Sequence, residues 1–161
     1  MTITLLGRWP GSIDGKRRLT LPAPLRRALA QIAESLQLIV TVGHRGCLLL
    51  VPESTWDAFA PDLFHDAVQG DPGAQRLRAT MARYGSTCRV DRSGRVTLTD
   101  EQMQFAGLLK PGKAVIFANF NRIEVWEPSR FEAANPTTDP GEHDSLAALY
   151  FNNVRNPGAG R

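Results

Sequence analysis

The chain repeats itself once, and this limits its fold more than any other feature. Asp14-Gly-Lys-Arg-Arg18-Leu-Thr20-Leu21 aligns with Asp91-Arg-Ser-Gly-Arg95-Val-Thr97-Leu98 at an offset of 77, with four of eight positions identical. Downstream the offset shortens to 75, where Cys47-Leu-Leu-Leu-Val-Pro-Glu-Ser-Thr-Trp56 runs against Arg122-Ile-Glu-Val-Trp-Glu-Pro-Ser-Arg-Phe131. Two long copies are a duplication, not a solenoid. A copy of roughly 50 residues with short strands buries too little apolar surface to stand alone. The two copies are therefore expected to share one core as a compact pseudo-twofold unit that closes its own strand edges.

Each copy reads as turn, short strand, helix and paired strands. Ser12-Ile-Asp-Gly15 forms the first turn, and Leu19-Thr20-Leu21 alternates as a strand before Pro22. Pro24 suits a helix start, with Leu25, Ala28, Leu29, Ile32 and Leu36 on one face. Leu38–Val42 and Cys47–Val51 flank Gly43-His-Arg-Gly46 as a hairpin. In the second copy, Thr99 with Gln102 predicts a capping box opening a helix through Leu109. Lys110–Lys113 reads as a turn, and Ala114–Ala118 pairs with Arg122–Trp126.

Between the copies, Ser54–Gln69 looks helical around Trp56, Phe59, Leu63, Phe64 and Val68, with Pro61 opening a second piece. Asp71 and Pro72 start a further helix with Leu77, Met81 and Tyr84 on one face, read as core packing. Asn135–Asp144 reads as linker, Leu146–Phe151 as a turn or two of helix, and the remainder as a mobile tail. The expected organisation is a first repeat at 5–56, connecting helices at 57–84, a second repeat at 85–134, and a partly disordered linker and tail at 135–161.

The 161 residues carry a formal net charge of only +3, but the charge is strongly segregated. Residues 1–30 hold six basic residues and one acid; residues 52–71 hold five acids and no Lys or Arg. Residues 76–95 return to six arginines and one acid; residues 124–144 carry six acids and one arginine. Clustered Lys and Arg attract polyanions whatever the total charge.

Catalysis finds no support. His44, His65, His143, Cys47 and Cys88 do not fall at metal-ligand spacing. Gly85-Ser86-Thr87 lacks the second glycine of a nucleophile elbow, and Gly112-Lys113 is no phosphate loop. No metal, cofactor or small-molecule substrate is expected. The two cysteines read as reduced thiols of a cytoplasmic protein, with no leader or bilayer-spanning run and so no membrane partner.

What recurs is Asp-x-x-x-Arg on a polar turn: Asp14 to Arg18 and Asp91 to Arg95. An aspartate that fixes an arginine's rotamer presents a pre-ordered fork to phosphate oxygens or to the edge of guanine. Lys16, Arg17 and Arg92 would add less oriented phosphate contacts. The competing reading is a plain ion pair closing a tight turn, worth about 0–1 kcal/mol. Recurrence of the pair in two acid-poor segments favours nucleic acid.

Ile13-Asp14-Gly-Lys-Arg-Arg18-Leu-Thr-Leu-Pro22-Ala-Pro-Leu-Arg26, Val90-Asp91-Arg-Ser-Gly94-Arg95-Val-Thr-Leu98-Thr-Asp100 and Ile123-Glu-Val-Trp126-Glu-Pro128-Ser-Arg-Phe131 together resemble the MraZ family of bacterial transcriptional regulators. The resemblance covers residues 5–134. It implies an α+β fold, a tandem AbrB-like swapped-hairpin β-barrel with flanking helices. It also implies ring-shaped homo-oligomers, nucleoid-associated, that bind tandem promoter repeats of the division and cell-wall gene cluster in double-stranded DNA as a repressor. Carried over by position, the DNA-binding residues are Arg18 and Arg95, with Asp14 and Asp91 as motif support. At the first motif the family usually has glycine where this chain has Arg17; a positive φ there would strain an arginine. The alternative class is an AbrB-like antitoxin or protein-interaction module.

Overall fold

The computed structural model describes residues 4–32, 36–59 and 70–155. The helical reading of 60–69, which includes Pro61, Leu63, Phe64 and Val68, and the tail beyond 155 lie outside these residues. Two compact units are present, Met1–Phe131 and Glu132–Arg161. Among the described residues the first unit contains eight strands: β1 (Leu5–Ile13), β2 (Arg18–Thr20), β3 (Gln37–Val42), β4 (Leu48–Pro52), β5 (Ser86–Arg89), β6 (Arg95–Thr97), β7 (Gly112–Phe120) and β8 (Arg122–Trp126). Its helices are α1 (Ala23–Ala30), α2 (Trp56–Phe59), α3 (Pro72–Tyr84) and α4 (Asp100–Ala106), with α5 (Pro128–Ala134) at its boundary. The second unit carries α6 (Pro140–Arg155).

The strands form one antiparallel sheet in the order β5-β3-β4-β8-β7-β1-β2-β6. This order is symmetric between the sequence copies. β2 pairs with its counterpart β6, and β4 with its counterpart β8. β1 of the first copy pairs with β7 of the second, while β5 of the second pairs with β3 of the first. Hairpins are thus exchanged between copies, and β6 returns beside β5 to leave the barrel nearly closed. The fold is α+β and AbrB-like. Closure by swapping is what protects short strands from presenting open edges.

The interior follows from the alternation of each strand. Leu19, Leu38, Val40, Leu48, Leu50, Val96, Ile116, Ile123 and Val125 are fully buried from both copies. Each large aliphatic side chain removed from water contributes about 1.5–3 kcal/mol. Leu25 and Leu29 of α1 and Met103 and Ala106 of α4 plug the same core. One polar group enters with them. Gln102 is fully buried, and its amide nitrogen donates to the Tyr84 carbonyl at 2.8 Å, Ser86 Oγ at 2.9 Å and the Val40 carbonyl at 3.3 Å. Its carbonyl oxygen accepts from Thr99 N at 3.0 Å, while Gln102 N donates to Thr99 Oγ1 at 3.0 Å, closing the expected capping box.

Several elements depart from the sequence reading. β1 was not legible because Gly7, Pro10 and Gly11 interrupt its pattern. The Trp9 ring lies over Gly7, where a Cβ would come within 2.5 Å of it, and Pro10 lies where β1 pairs with β7 alone, since β2 meets β1 only at Ile13. α1 stops at Ala30, so Ile32 and Leu36 reach the core from outside the helix. α4 stops at Ala106 rather than Leu109, because Gly107 adopts the left-handed conformation (φ 68°) that caps it. Leu77 is half exposed, so α3 packs through Met81 and Tyr84 instead. α6 is also longer than expected: Asp139 accepts from Glu142 N at 2.9 Å ahead of Pro140, and the helix absorbs half of the supposed linker.

A second, smaller apolar layer covers the outer side of β7 and β8. Phe131 meets Phe117 and Trp126 edge-on at 5.3 and 6.0 Å, and the Arg8 guanidinium lies 5.6 Å from the Phe131 ring centre. Glu124, the first acid of the acid-rich segment 124–144, is buried there. It accepts from Arg122 Nε at 2.8 Å, Trp126 Nε1 at 2.9 Å and Asn119 Nδ2 at 3.3 Å. Burial, and then the nearby Glu124 charge, push the Cys47 thiol up to about 12, so it stays protonated at neutral pH.

Replacing Gln102 by alanine leaves a cavity, orphans the Tyr84 carbonyl and removes half of the capping box. We predict a loss of about 2–4 kcal/mol in urea unfolding, with an unchanged m-value.

Candidate nucleic-acid interface

The two Asp-x-x-x-Arg turns are built alike, atom for atom. Asp14 Oδ1 accepts from Lys16 N and Arg18 N, both at 2.9 Å, and Oδ2 accepts from Arg18 Nε at 2.7 Å. Asp91 Oδ1 accepts from Ser93 N and Arg95 N at 2.9 Å, and Oδ2 from Arg95 Nε at 2.8 Å. The backbone closes each loop: Asp14 N donates to the Arg18 carbonyl at 3.1 Å and Asp91 N to the Arg95 carbonyl at 3.0 Å. One carboxylate therefore orders both a turn and a side chain.

The carboxylates titrate below the usual aspartate value. In each, the backbone hydrogen bond from its arginine is the largest cause, reinforced by that arginine's side chain and opposed by desolvation. A guanidinium has five donors, and the aspartate engages only Nε, so the Nη edge points away from the clamp. A fork held this way loses less rotamer entropy on binding.

Pairing of β2 with β6 brings the two turns together. Arg18 lies opposite Thr97, Leu19 opposite Val96, and Thr20 opposite Arg95. Leu19 and Val96 point inward and are fully buried. Alternation then places Arg18, Thr20, Arg95 and Thr97 on the outward face. The arginines are diagonal neighbours across a local twofold axis, at a separation of roughly 7–8 Å between positions. Their side chains are 29% and 31% exposed, a match that shows the two copies present equivalent groups. Two cross-copy hydrogen bonds lock the ribbon: Leu98 N donates to the Arg17 carbonyl at 2.9 Å, and Leu21 N to the Gly94 carbonyl at 2.8 Å.

The other expected contacts separate. Lys16 and Arg92 are exposed on the loop tips. Arg17 is not aimed outward: its Nη1 donates to the Leu98 carbonyl at 3.1 Å and lies 3.9 Å from Asp100. Its φ of 65° is the conformation that glycine supplies at the equivalent Gly94 (φ 76°). The strained arginine is retained by its bonds to the second copy. Gly94 is required for another reason as well, since a Cβ there would meet the Arg26 guanidinium, with Nε at 2.8 Å. Thr20, Thr97 and Arg26 escaped the sequence reading; the alternation around Leu19 and Val96 was the available signal for the threonines.

The site is a pseudo-twofold β-ribbon carrying two clamped arginines on an AbrB-like barrel. Comparison with known proteins supplies the family. The family profile described as "MraZ protein, putative antitoxin-like" matches residues 10–69. The protein named transcriptional regulator MraZ from Lachnoclostridium phytofermentans is 30% identical over 129 residues, covering 80% of this chain and 84% of that one. Its namesake from Thermomicrobium roseum is 30% identical over 128 residues, covering 80% and 84%. A third, from Salmonella paratyphi A, is 31% identical over 117 residues, covering 72% and 74%. The chain belongs to the MraZ family. That membership places it among transcriptional regulators rather than enzymes. No helix among the described residues is long and apolar enough to cross a membrane.

Because the folded carboxylates are stronger acids than unfolded ones, which titrate near pH 3.9, the clamps are fully formed above that value. They are lost only as pH falls through the lower folded values. In an NMR titration of the side-chain carboxyl carbons, Asp14 and Asp91 should titrate below the ordinary aspartate range. Substituting lysine for either arginine should move the partner aspartate upward, since the Nε bond is gone.

Proposed function

We propose that the β2–β6 ribbon binds double-stranded DNA, with Arg18 and Arg95 as the specific contacts and Lys16 and Arg92 on flanking phosphates. The observation that carries this reading is the duplicated clamp, which orders two outward guanidinium edges on one face. A two-stranded ribbon fits the major groove, where an arginine edge matches O6 and N7 of guanine. The approximate twofold symmetry of the ribbon suits a short element read alike from either strand. Arg17 acts as a positioning residue in this reading, joining the first turn to the second copy.

One ribbon with about four cations displaces too few counterions for tight binding at physiological salt. A ring of copies, each presenting its ribbon, raises affinity through effective concentration and demands tandem sites. Repeats centred about 10 bp apart would lie on one face of the duplex. Occupied repeats in a promoter would exclude polymerase, so repression is the expected outcome, with the division and cell-wall gene cluster as the target and the nucleoid as the place of action. The chain is then organised as a first repeat at 5–56, connecting helices at 57–84 and a second repeat at 85–134, with 135–161 outside the DNA-binding part.

Arg18→Ala and Arg95→Ala should each weaken binding to the protein's own upstream region by about 1–3 kcal/mol per ribbon and reduce the salt slope by about one. Both should leave the melting temperature nearly unchanged, because the two side chains are outward. Mobility shifts equal to the parent's in both variants would rule the reading out.

A further inference from the structure

We propose that α6 of one copy docks into a cleft beside α3 of a second copy, a head-to-tail contact that builds the oligomer. The cleft has a volume of about 390 Å³, in the range of sites that enclose a drug-sized ligand, roughly 300–1,000 Å³. Its walls are apolar at Ile39, Trp56, Met81 and Ala82, with Arg78 among its lining residues. α3 carries Arg76, Arg78 and Arg83 and no acid, and its Leu77 is exposed. This helix buries none of its residues fully, although it is 13 residues long.

The complement is in the same chain. On α6, Glu142, Leu146, Leu149 and Tyr150 follow the spacing of one helical face, over about 12 Å. Leu146, Leu149, Tyr150 and the adjoining Phe151 are exposed by 42–69%, an apolar surface that scattered residues would not make. The beginning of the helix is acidic, with Asp139, Glu142 and Asp144 and no Lys or Arg. An acidic end followed by apolar anchors matches an arginine-bearing helix beside an apolar cleft. This is helix-in-groove recognition, with aromatic anchors filling the cavity and the charges setting direction.

The two surfaces are different, so docking between copies is heterologous and propagates until it closes on itself. That geometry produces the ring that the DNA reading requires, and the inference deepens that reading by naming the contact. Residues 135–161 then have a role: they join copies.

Two full-length variants test this by light scattering. Leu149→Asp spoils the helix and Arg78→Glu the cleft; Ala82→Arg, at an exposed wall position, is a second cleft variant should Arg78→Glu fail to fold. The parent chain should be oligomeric, and each variant should fall to the single-chain mass of 17.7 kDa. An equimolar mixture of a helix variant and a cleft variant should move to twice that mass, because each keeps the surface the other has lost. Retention of the parent's mass by Leu149→Asp overturns the proposal. So does a mixture that stays at single-chain mass, as expected if the helix seats in its own chain's cleft or serves another partner. The DNA reading fails separately: a mixture that pairs, alongside Arg18→Ala and Arg95→Ala chains that still bind promoter DNA as the parent does, leaves the interface standing and removes the ribbon's role.

Discussion

Everything in the barrel hangs on the pairing of β2 with β6. Each is only three residues long, too short to be stable as a strand without partners on its sheet. They hold because Leu19 and Val96 pack inward without exposure, and because Leu21 N and Leu98 N reach carbonyls in the opposite copy. Those last two bonds are accepted by carbonyls of the turns that carry the clamps. The fold's weakest-looking strands are therefore tied at both ends by the groups that shape the proposed interface. Stability and presentation share one set of bonds.

The same arrangement explains how two identical motifs tolerate different sequences. Gly94 takes a left-handed conformation with little strain and leaves room for Arg26. Arg17 takes nearly the same conformation at a cost of order 1–3 kcal/mol, offset by its carbonyl bond to Leu98 and its approach to Asp100. Asp100 also engages Lys110, so the first turn is anchored to a charge cluster at the start of α4. Duplication preserved the geometry while the two copies diverged in how they support it.

Much of this architecture is legible in the sequence. The repeat is plain from self-comparison of the chain, and each Asp-x-x-x-Arg turn, the Thr99–Gln102 capping box and both hairpins follow from local chemistry, since each depends on residues within a few positions. From the residues themselves, exchange of hairpins between the copies was visible only as a requirement that edges be closed, and the swapped-hairpin barrel came from the family resemblance, because pairing of β1 with β7 is a long-range choice. β1 was hidden by Gly7, Pro10 and Gly11: Gly7 makes room for the Trp9 ring, Gly11 for Ile116 and Leu19, and Pro10 lies where only β7 pairs with the strand. Arg17, read as a phosphate contact, turns inward to the Leu98 carbonyl, and Glu124 is buried, because charge counted along a chain does not reveal which side chains turn inward. The start of α6 at Asp139-Pro140 carried a capping signal that its polar first turns outweighed.

If Asp14 and Asp91 hold the Nε of Arg18 and Arg95 so that their Nη edges meet DNA, nitrogen-15 NMR of arginine side chains, recorded with and without a duplex carrying the upstream repeats, reads it directly. The Nη signals of Arg18 and Arg95 should shift and exchange more slowly on DNA binding, while their Nε signals, already bonded, move little. Unchanged Nη signals at both residues in a saturated complex, with changes at Arg76, Arg78 and Arg83 instead, would contradict it and move the DNA surface to α3.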